Sequence, residues 1–185
     1  MRISREEFFM NLARQYGTRN TCPRAKGACV LVKDNRLIAA GYVSSLPGTP
    51  HCEDAGCEIG PVVEGCQRTT HSEAALVAHC AKLGIATKDS ILYTVNGPCP
   101  KCAKLIILSG IRKIYFEYQF RDKLGIDLLE TLEIYVYQAH NHDSYFHIHK
   151  NSEFFHGLES DRHDHSDHMQ HINANKIASL LDGID

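Results

Sequence analysis

Apolar residues near the start of the chain recur on one helical face. Phe8, Phe9, Leu12 and Tyr16 follow Ser4, a capping residue with Glu7 three positions on, and predict a helix from Ser4 to about Tyr16. The period then changes. Ala28-Cys29-Val30-Leu31-Val32 is an unbroken apolar run suited to a buried strand. Lys33-Asp34-Asn35 reads as a turn, and Leu37 to Tyr42 as the hairpin partner. Helical spacing returns from His71 to about Leu83, where Gly84 stops it. Ile91 to Val95 reads as a strand, Pro100 to about Ser109 as a helix, and Lys113 to Glu117 as a strand. A short helix near Leu124 to Leu132 and a strand at Glu133 to Tyr137 complete the order. A hairpin first and strand–helix–strand crossovers afterwards imply an α/β protein, with a mixed sheet covered on both faces.

Two stretches escape this pattern. From Ser44 to Thr69 the chain is rich in Gly, Pro and Cys and has little periodicity. A loop of that length inside a domain is usually functional or pinned by a metal. From Gln138 onward the chain holds nine of its twelve histidines, among eight acidic residues and only three basic ones. This predicts a domain over residues 1–137 followed by a solvated, His-rich acidic extension over 138–185. A short amphipathic stretch near Ile172, Ile177, Leu180 and Leu181 could dock on the core or on a neighbouring subunit. Adventitious metal binding by the histidines is the other reading of this segment.

Composition narrows the class. With 185 residues, 43% hydrophobic and 23% charged, the chain has the make-up of one soluble globular domain. A formal net charge of −2 gives no electrostatic case for nucleic acid or a membrane surface. The charged start, Met1 to Glu7, lacks a signal core, and no apolar run is long enough to span a bilayer. A cytoplasmic protein is expected. In that reducing compartment eight cysteines point to metal rather than to disulfides.

The chemistry is carried by two short motifs, His71-Ser72-Glu73 and Pro98-Cys99-Pro100-Lys101-Cys102. His71, Cys99 and Cys102 supply three metal ligands of the type zinc prefers. Three protein ligands leave a tetrahedral position open, as a catalytic zinc requires. The segment between the motifs offers no fourth ligand in Ile91 to Val95. Glu73 is spare and free to move protons. H-x-E followed by P-C-x-x-C is a signature of zinc nucleobase deaminases. Both motifs fall at helix N-termini, where the helix dipole favours thiolate over thiol. Arg68 and Lys82 are candidate phosphate contacts.

Together with Thr21-Cys22-Pro23-Arg24, Val30 to Arg36, Gly41-Tyr42, Pro50 to Cys57, Cys66 to Thr69 and Ile107 to Ile111, these motifs resemble the deoxycytidylate (dCMP) deaminases. The similarity is to their bacterial and phage branch, which includes the late competence operon deaminase, and it covers roughly Cys22 to Asp122. It implies the three-layer cytidine-deaminase fold, with a mixed five-stranded sheet between helices. It also implies hydrolysis of dCMP to dUMP and ammonia, a homo-oligomer that is commonly a hexamer, and deoxynucleoside triphosphates as effectors. Val43, Ala75 and Phe120 stand where the family usually has Asn, Asn and Tyr. All three changes delete hydrogen-bonding groups near nucleotide or effector. They motivate a different aminated base or a modified nucleotide as an alternative substrate. A non-catalytic zinc or nucleotide-binding module is a further alternative.

Cys22, His51, Cys52, Cys57 and Cys66 are not needed for deamination. Four of these five could close a tetrahedral structural zinc shell and pin the aperiodic loop. The resemblance favours this, because the same branch carries the extra Cys and His pattern. The alternative makes Cys52 and Cys66 buried thiols and His51 part of the substrate pocket. The choice of four remains open, with His51 as competitor to the cysteines. Cys29 and Cys80 are expected to pack as small hydrophobes.

Overall fold

The Ser4 hydroxyl accepts a hydrogen bond from the Glu7 backbone N–H at 3.1 Å and starts helix α1, Arg5–Gly17. This is the first element of a computed structural model that describes residues 2–60, 65–140 and 147–150, with side chains through residue 139. The hairpin follows as β1, Ala28–Lys33, and β2, Arg36–Tyr42. Asp34 and Asn35 join the strands with φ of 49° and 58°. Two positive φ values in succession give the turn whose twist matches the strands it joins. The loop from residue 44 then contains a two-residue strand β3, Ser44–Ser45, a one-turn helix α2, Cys52–Ala55, and a second short strand β4, Thr69–Thr70, which pairs with β3.

Helix α3, Ser72–Leu83, ends at a left-handed Gly84. Then come β5, Ile91–Asn96; α4, Pro100–Leu108; β6, Lys113–Tyr118; α5, Leu124–Thr131; and β7, Tyr135–His140. A last strand, β8, His147–Lys150, pairs antiparallel with β7. The main sheet runs β2-β1-β5-β6-β7-β8. Its first five strands are the expected mixed set, antiparallel on either side of β1 and parallel from β5 to β7. The sixth lies past the boundary expected at residue 137, and β7 itself continues to His140. The remaining tail histidines and the amphipathic stretch near Ile172 lie outside the described residues.

Alternation in β1 divides the interior. Ala28, Val30 and Val32 pack under Phe9, Met10 and Ala13 of α1, with Tyr93 and Val95 of β5 beside them. Cys29 and Leu31 face the other way, toward Leu76 and Cys80 of α3, Ala103 and Ile106 of α4, and Ile126 and Leu129 of α5. The result is three layers, with one helix on one face of the sheet and three on the other. Cys29 and Cys80 are buried, and burial pushes both thiols up. They pack as small hydrophobes. Among the described residues no helix is long and apolar enough to cross a membrane.

Two glycines let the layers close where the motifs enter. A Cβ on Gly41 of β2 would collide with the carbonyl oxygen of Ser72, at the start of α3. A Cβ on Gly125 of α5 would collide with the carbonyl oxygen of Pro98, just before α4. Backbone therefore packs on backbone at both motif segments, an approach that only glycine permits.

Candidate active site

His71 is the N-cap of α3 and Cys99 the N-cap of α4. Neither side chain caps its own helix. They turn toward each other instead. The Sγ atoms of Cys99 and Cys102 each lie 3.5 Å from Nδ1 of His71. All three donor atoms fall within 4.8 Å of one another. Pro100 opens α4 with a φ already suited to a helix, so Cys99 and Cys102 share its first turn. The Cys99 thiol is pulled down to about 3, first by a hydrogen bond from Cys102 and then by His71, while Cys102 is pushed up as holder of the shared proton. The hydrogen bond to Cys99 raises the His71 imidazole. Two sulfurs and one imidazole, converging with their caps diverted, fit zinc. His71 and Cys99 also line a cavity of about 780 Å³, so the fourth coordination direction has room for a small molecule.

Glu73 lies on the same cavity wall and is 5% exposed. Ser72 Oγ donates to its Oε2 at 3.1 Å. Thr94 Oγ1 lies 3.3 Å from Oε1 and 2.9 Å from the Asn96 carbonyl oxygen. A hydroxyl has one proton. When Thr94 gives that proton to Asn96, its oxygen can accept one from a protonated Glu73. Burial raises the Glu73 carboxyl above its ordinary range. The buried carboxyl is therefore held where its protonated form is favoured, on the wall of a cavity that a small molecule can enter.

The other sequence candidates divide. Val43 and Phe120 line the cavity, and the Phe120 ring sits 6.3 Å from that of His71. Ala75 is half-buried on α3 and is not among the cavity-lining residues. Lys82 is exposed in the last turn of α3, more than two turns from Glu73, and does not reach the cavity wall. Arg68 is also off the wall and pairs with Glu58 at 3.6 Å. Arg24, Lys101 and Arg121 line the cavity instead, with Asn96 at the end of β5. Each of these cations adjoins a residue already singled out: Arg24 two positions after Cys22, Lys101 within the second motif, and Arg121 beside Phe120. Adjacency was the available signal for them.

A second sulfur cluster flanks the cavity. The Sγ atoms of Cys22, Cys52 and Cys57 lie within 4.8 Å of one another, and Cys66 Sγ is 3.7 Å from Cys52 Sγ. Burial and the neighbouring Cys66 push Cys52 up to about 12. Burial works the same way on Cys66, but backbone hydrogen bonds at Arg68 and Glu58 bring it down to about 7. His51 caps the short helix α2 with its side chain exposed and stands outside this group of sulfurs.

Residues 3–118 match the family model for the cytidine and deoxycytidylate deaminase zinc-binding region. The chain belongs to this family. It is 36% identical to ComE operon protein 2 of Bacillus subtilis over 120 residues, 65% of this chain and 62% of that protein. It is 27% identical to the deoxycytidylate deaminase of Mycobacterium phage D29 over 120 residues, 60% of this chain and 92% of that one. Among solved structures, the dCMP deaminase of cyanophage S-TIM5 in complex with dCMP and dUMP superposes with a TM-score of 0.65 at 26% identity, covering 75% of this chain and 98% of that one. The fold is thus the three-layer cytidine-deaminase fold. The chain spans less than two thirds of the length of its Bacillus relative, 62%.

Proposed function

We propose that this chain is a zinc-dependent deaminase that hydrolyses a cytosine nucleotide, dCMP in first place, to the uracil nucleotide and ammonia. The observation that carries the reading is the buried Glu73 beside an open His71–Cys99–Cys102 donor set, on the wall of a cavity of about 780 Å³. That volume suits a small-molecule ligand. Zinc held by these three residues supplies the Lewis acidity that lets water act as a nucleophile near neutral pH.

The chain's own groups account for the proton traffic. Glu73 takes a proton from the attacking water and passes it to ring N3 as the water oxygen bonds to C4. It then takes the second proton of that oxygen and delivers it to the exocyclic nitrogen while the C4–N bond breaks. One water is consumed and one ammonia leaves. Ser72 and Thr94 hold the carboxyl in place. Arg24, Lys101 and Arg121 offer positive charge for a 5′-phosphate.

Val43 and Phe120 favour a second reading. Both lie on the cavity wall, and neither side chain offers a hydrogen bond to a substrate. A modified cytosine nucleotide or another aminated heterocycle that makes no hydrogen bond at these two positions would fit there. The four sulfurs of Cys22, Cys52, Cys57 and Cys66 support a second, structural zinc with a closed shell. The eight cysteines are all unpaired, which supports work in the reducing cytoplasm. A homo-oligomer, hexameric by family resemblance, and control by deoxynucleoside triphosphates complete the reading.

The test is ammonia release by zinc-loaded protein from dCMP, CMP, deoxycytidine, cytosine and 5-substituted dCMP, with Glu73→Gln as control. Turnover of dCMP supports the first reading. Turnover confined to another aminated base selects the second. No turnover of any of them, with zinc bound, leaves a non-catalytic zinc module.

A further inference from the structure

Asn96 ends β5 and lines the cavity. Its backbone is engaged. The carbonyl oxygen accepts a hydrogen bond from Thr94 Oγ1 at 2.9 Å, and the residue pairs with Tyr118 of β6. Among the described residues its half-buried side-chain amide has no hydrogen-bond partner. A few placed polar groups on a pocket wall are what orient a ligand.

Gly27 keeps the approach to this amide open. A Cβ on Gly27 would lie 3.2 Å from Asn96 Nδ2, 3.2 Å from Val43 Cγ2 and 3.5 Å from Ser72 Oγ. These atoms border one small space on the cavity wall. Ser72 gives its proton to Glu73, and Val43 has no polar side-chain atom. The Asn96 amide is thus the group that this part of the wall offers a ligand. Gly27 also joins two ends of the site. Through Ser72 it adjoins Glu73, where the reacting ring belongs. Three residues back, the same segment presents Arg24, one of the cations suited to a phosphate. In a nucleotide the part between ring and 5′-phosphate is the sugar. Resting on the cytosine-nucleotide reading above, we propose that the Asn96 amide hydrogen-bonds the 3′-hydroxyl of the deoxyribose. It thereby supplies from β5 a polar contact that Val43, beside β2, cannot make. An amide carries a donor and an acceptor, and a hydroxyl can meet either.

The test reads binding apart from turnover. Zinc-loaded, full-length Glu73→Gln protein is titrated calorimetrically with dCMP and with 2′,3′-dideoxycytidine monophosphate, which lacks that hydroxyl. With Asn96 in place, dCMP should bind up to about tenfold more tightly. Asn96→Ala should weaken dCMP by that factor and leave the dideoxy nucleotide unchanged, so that the preference disappears. Damage to the fold would weaken both nucleotides alike. Adding Val43→Asn to Asn96→Ala should restore part of the preference, a gain that misfolding does not produce. A preference that survives Asn96→Ala would overturn the proposal. So would the lack of any preference with Asn96 present, or failure to bind dCMP at all. Ammonia release from dCMP by zinc-loaded wild-type protein is measured alongside. Its absence, with the Asn96-dependent preference intact, would sink the deamination reading and leave the role of Asn96 standing.

Discussion

Glu73 is a carboxyl that the fold buries against two hydroxyls, and its environment makes opposite demands on stability and chemistry. Burial raises its pKa in the folded chain above the ordinary carboxyl value of 4.5. The neutral form is the one that burial favours. The corresponding stability is complete below the ordinary value and is lost as pH rises through the raised one. Glu73→Gln mimics the neutral form at every pH. In metal-free protein it should therefore melt at a higher temperature than wild type at neutral pH, with the gap closing as pH is lowered toward 4.5. A gap independent of pH in thermal melts would contradict this. In zinc-loaded protein the same change should keep the metal and lower turnover by roughly 10²–10⁴-fold, the scale of general acid–base catalysis.

Substrate choice is also argued at this scale. Val43→Asn and Phe120→Tyr place polar groups on the cavity wall, whereas Ala75→Asn does not. If recognition of dCMP has weakened, the first two should each raise kcat/KM for dCMP by up to about tenfold, and Ala75→Asn alone should leave it unchanged. The two gains need not add, because both residues face one cavity. Steady-state kinetics on the single and paired variants read this directly.

Between elements, the site depends on where helices begin and how closely they approach. Gly125→Ala would force α5 away from Pro98 and drag Cys99 with it. The expected cost is about 1–3 kcal/mol, as for other overpacked contacts, seen as a lowered Tm together with faster loss of zinc to a chelator. A fall in Tm without faster zinc loss would mean that α5 yields and the ligand does not. The second zinc proposed above would pin the loop between β3 and β4 through Cys22, Cys52, Cys57 and Cys66. Metal analysis should give about two zinc per chain. His71→Ala should remove one of them. Cys52→Ser should remove the other and open the loop to proteases while the active-site zinc stays. One zinc in wild type, lost entirely in His71→Ala, would exclude a metal among the four cysteines.

For the molecule as a whole, the sheet outruns the boundary that hydrophobic patterning suggests. A chain ending after Tyr137 loses the Phe116–Gln138 pair of the β6–β7 ladder and all of β8. A chain ending after Glu153 keeps both. The shorter chain should melt at a lower temperature than the longer one. Both should retain the zinc of His71, Cys99 and Cys102, since no ligand lies beyond residue 137. Equal Tm values would show that β8 adds nothing to the sheet, and loss of that zinc from either chain would contradict the boundary drawn for the site.

Local spacing alone determined the helices, the hairpin and the metal motifs. Caps, turn residues and C-x-x-C act within a few residues, and the closing geometry of one turn does not depend on the rest of the fold. Glu73 was legible for the same reason, two positions from His71. Lys82 and Arg68 are not among the cavity-lining residues, because charge and proximity in sequence do not say which way a face turns; Lys82 is exposed and Arg68 pairs with Glu58. Only the tertiary structure brought Arg24, Val43, Asn96, Phe120 and Arg121 to one cavity, because that wall is assembled from segments nearly a hundred residues apart. It also decided that His51 stands apart from the four sulfurs, that Gly41 and Gly125 are contact points rather than flexible ones, and that the sheet has a sixth strand. These outcomes depend on how finished elements pack against one another, and hydrophobic period encodes which face is buried but not its neighbour.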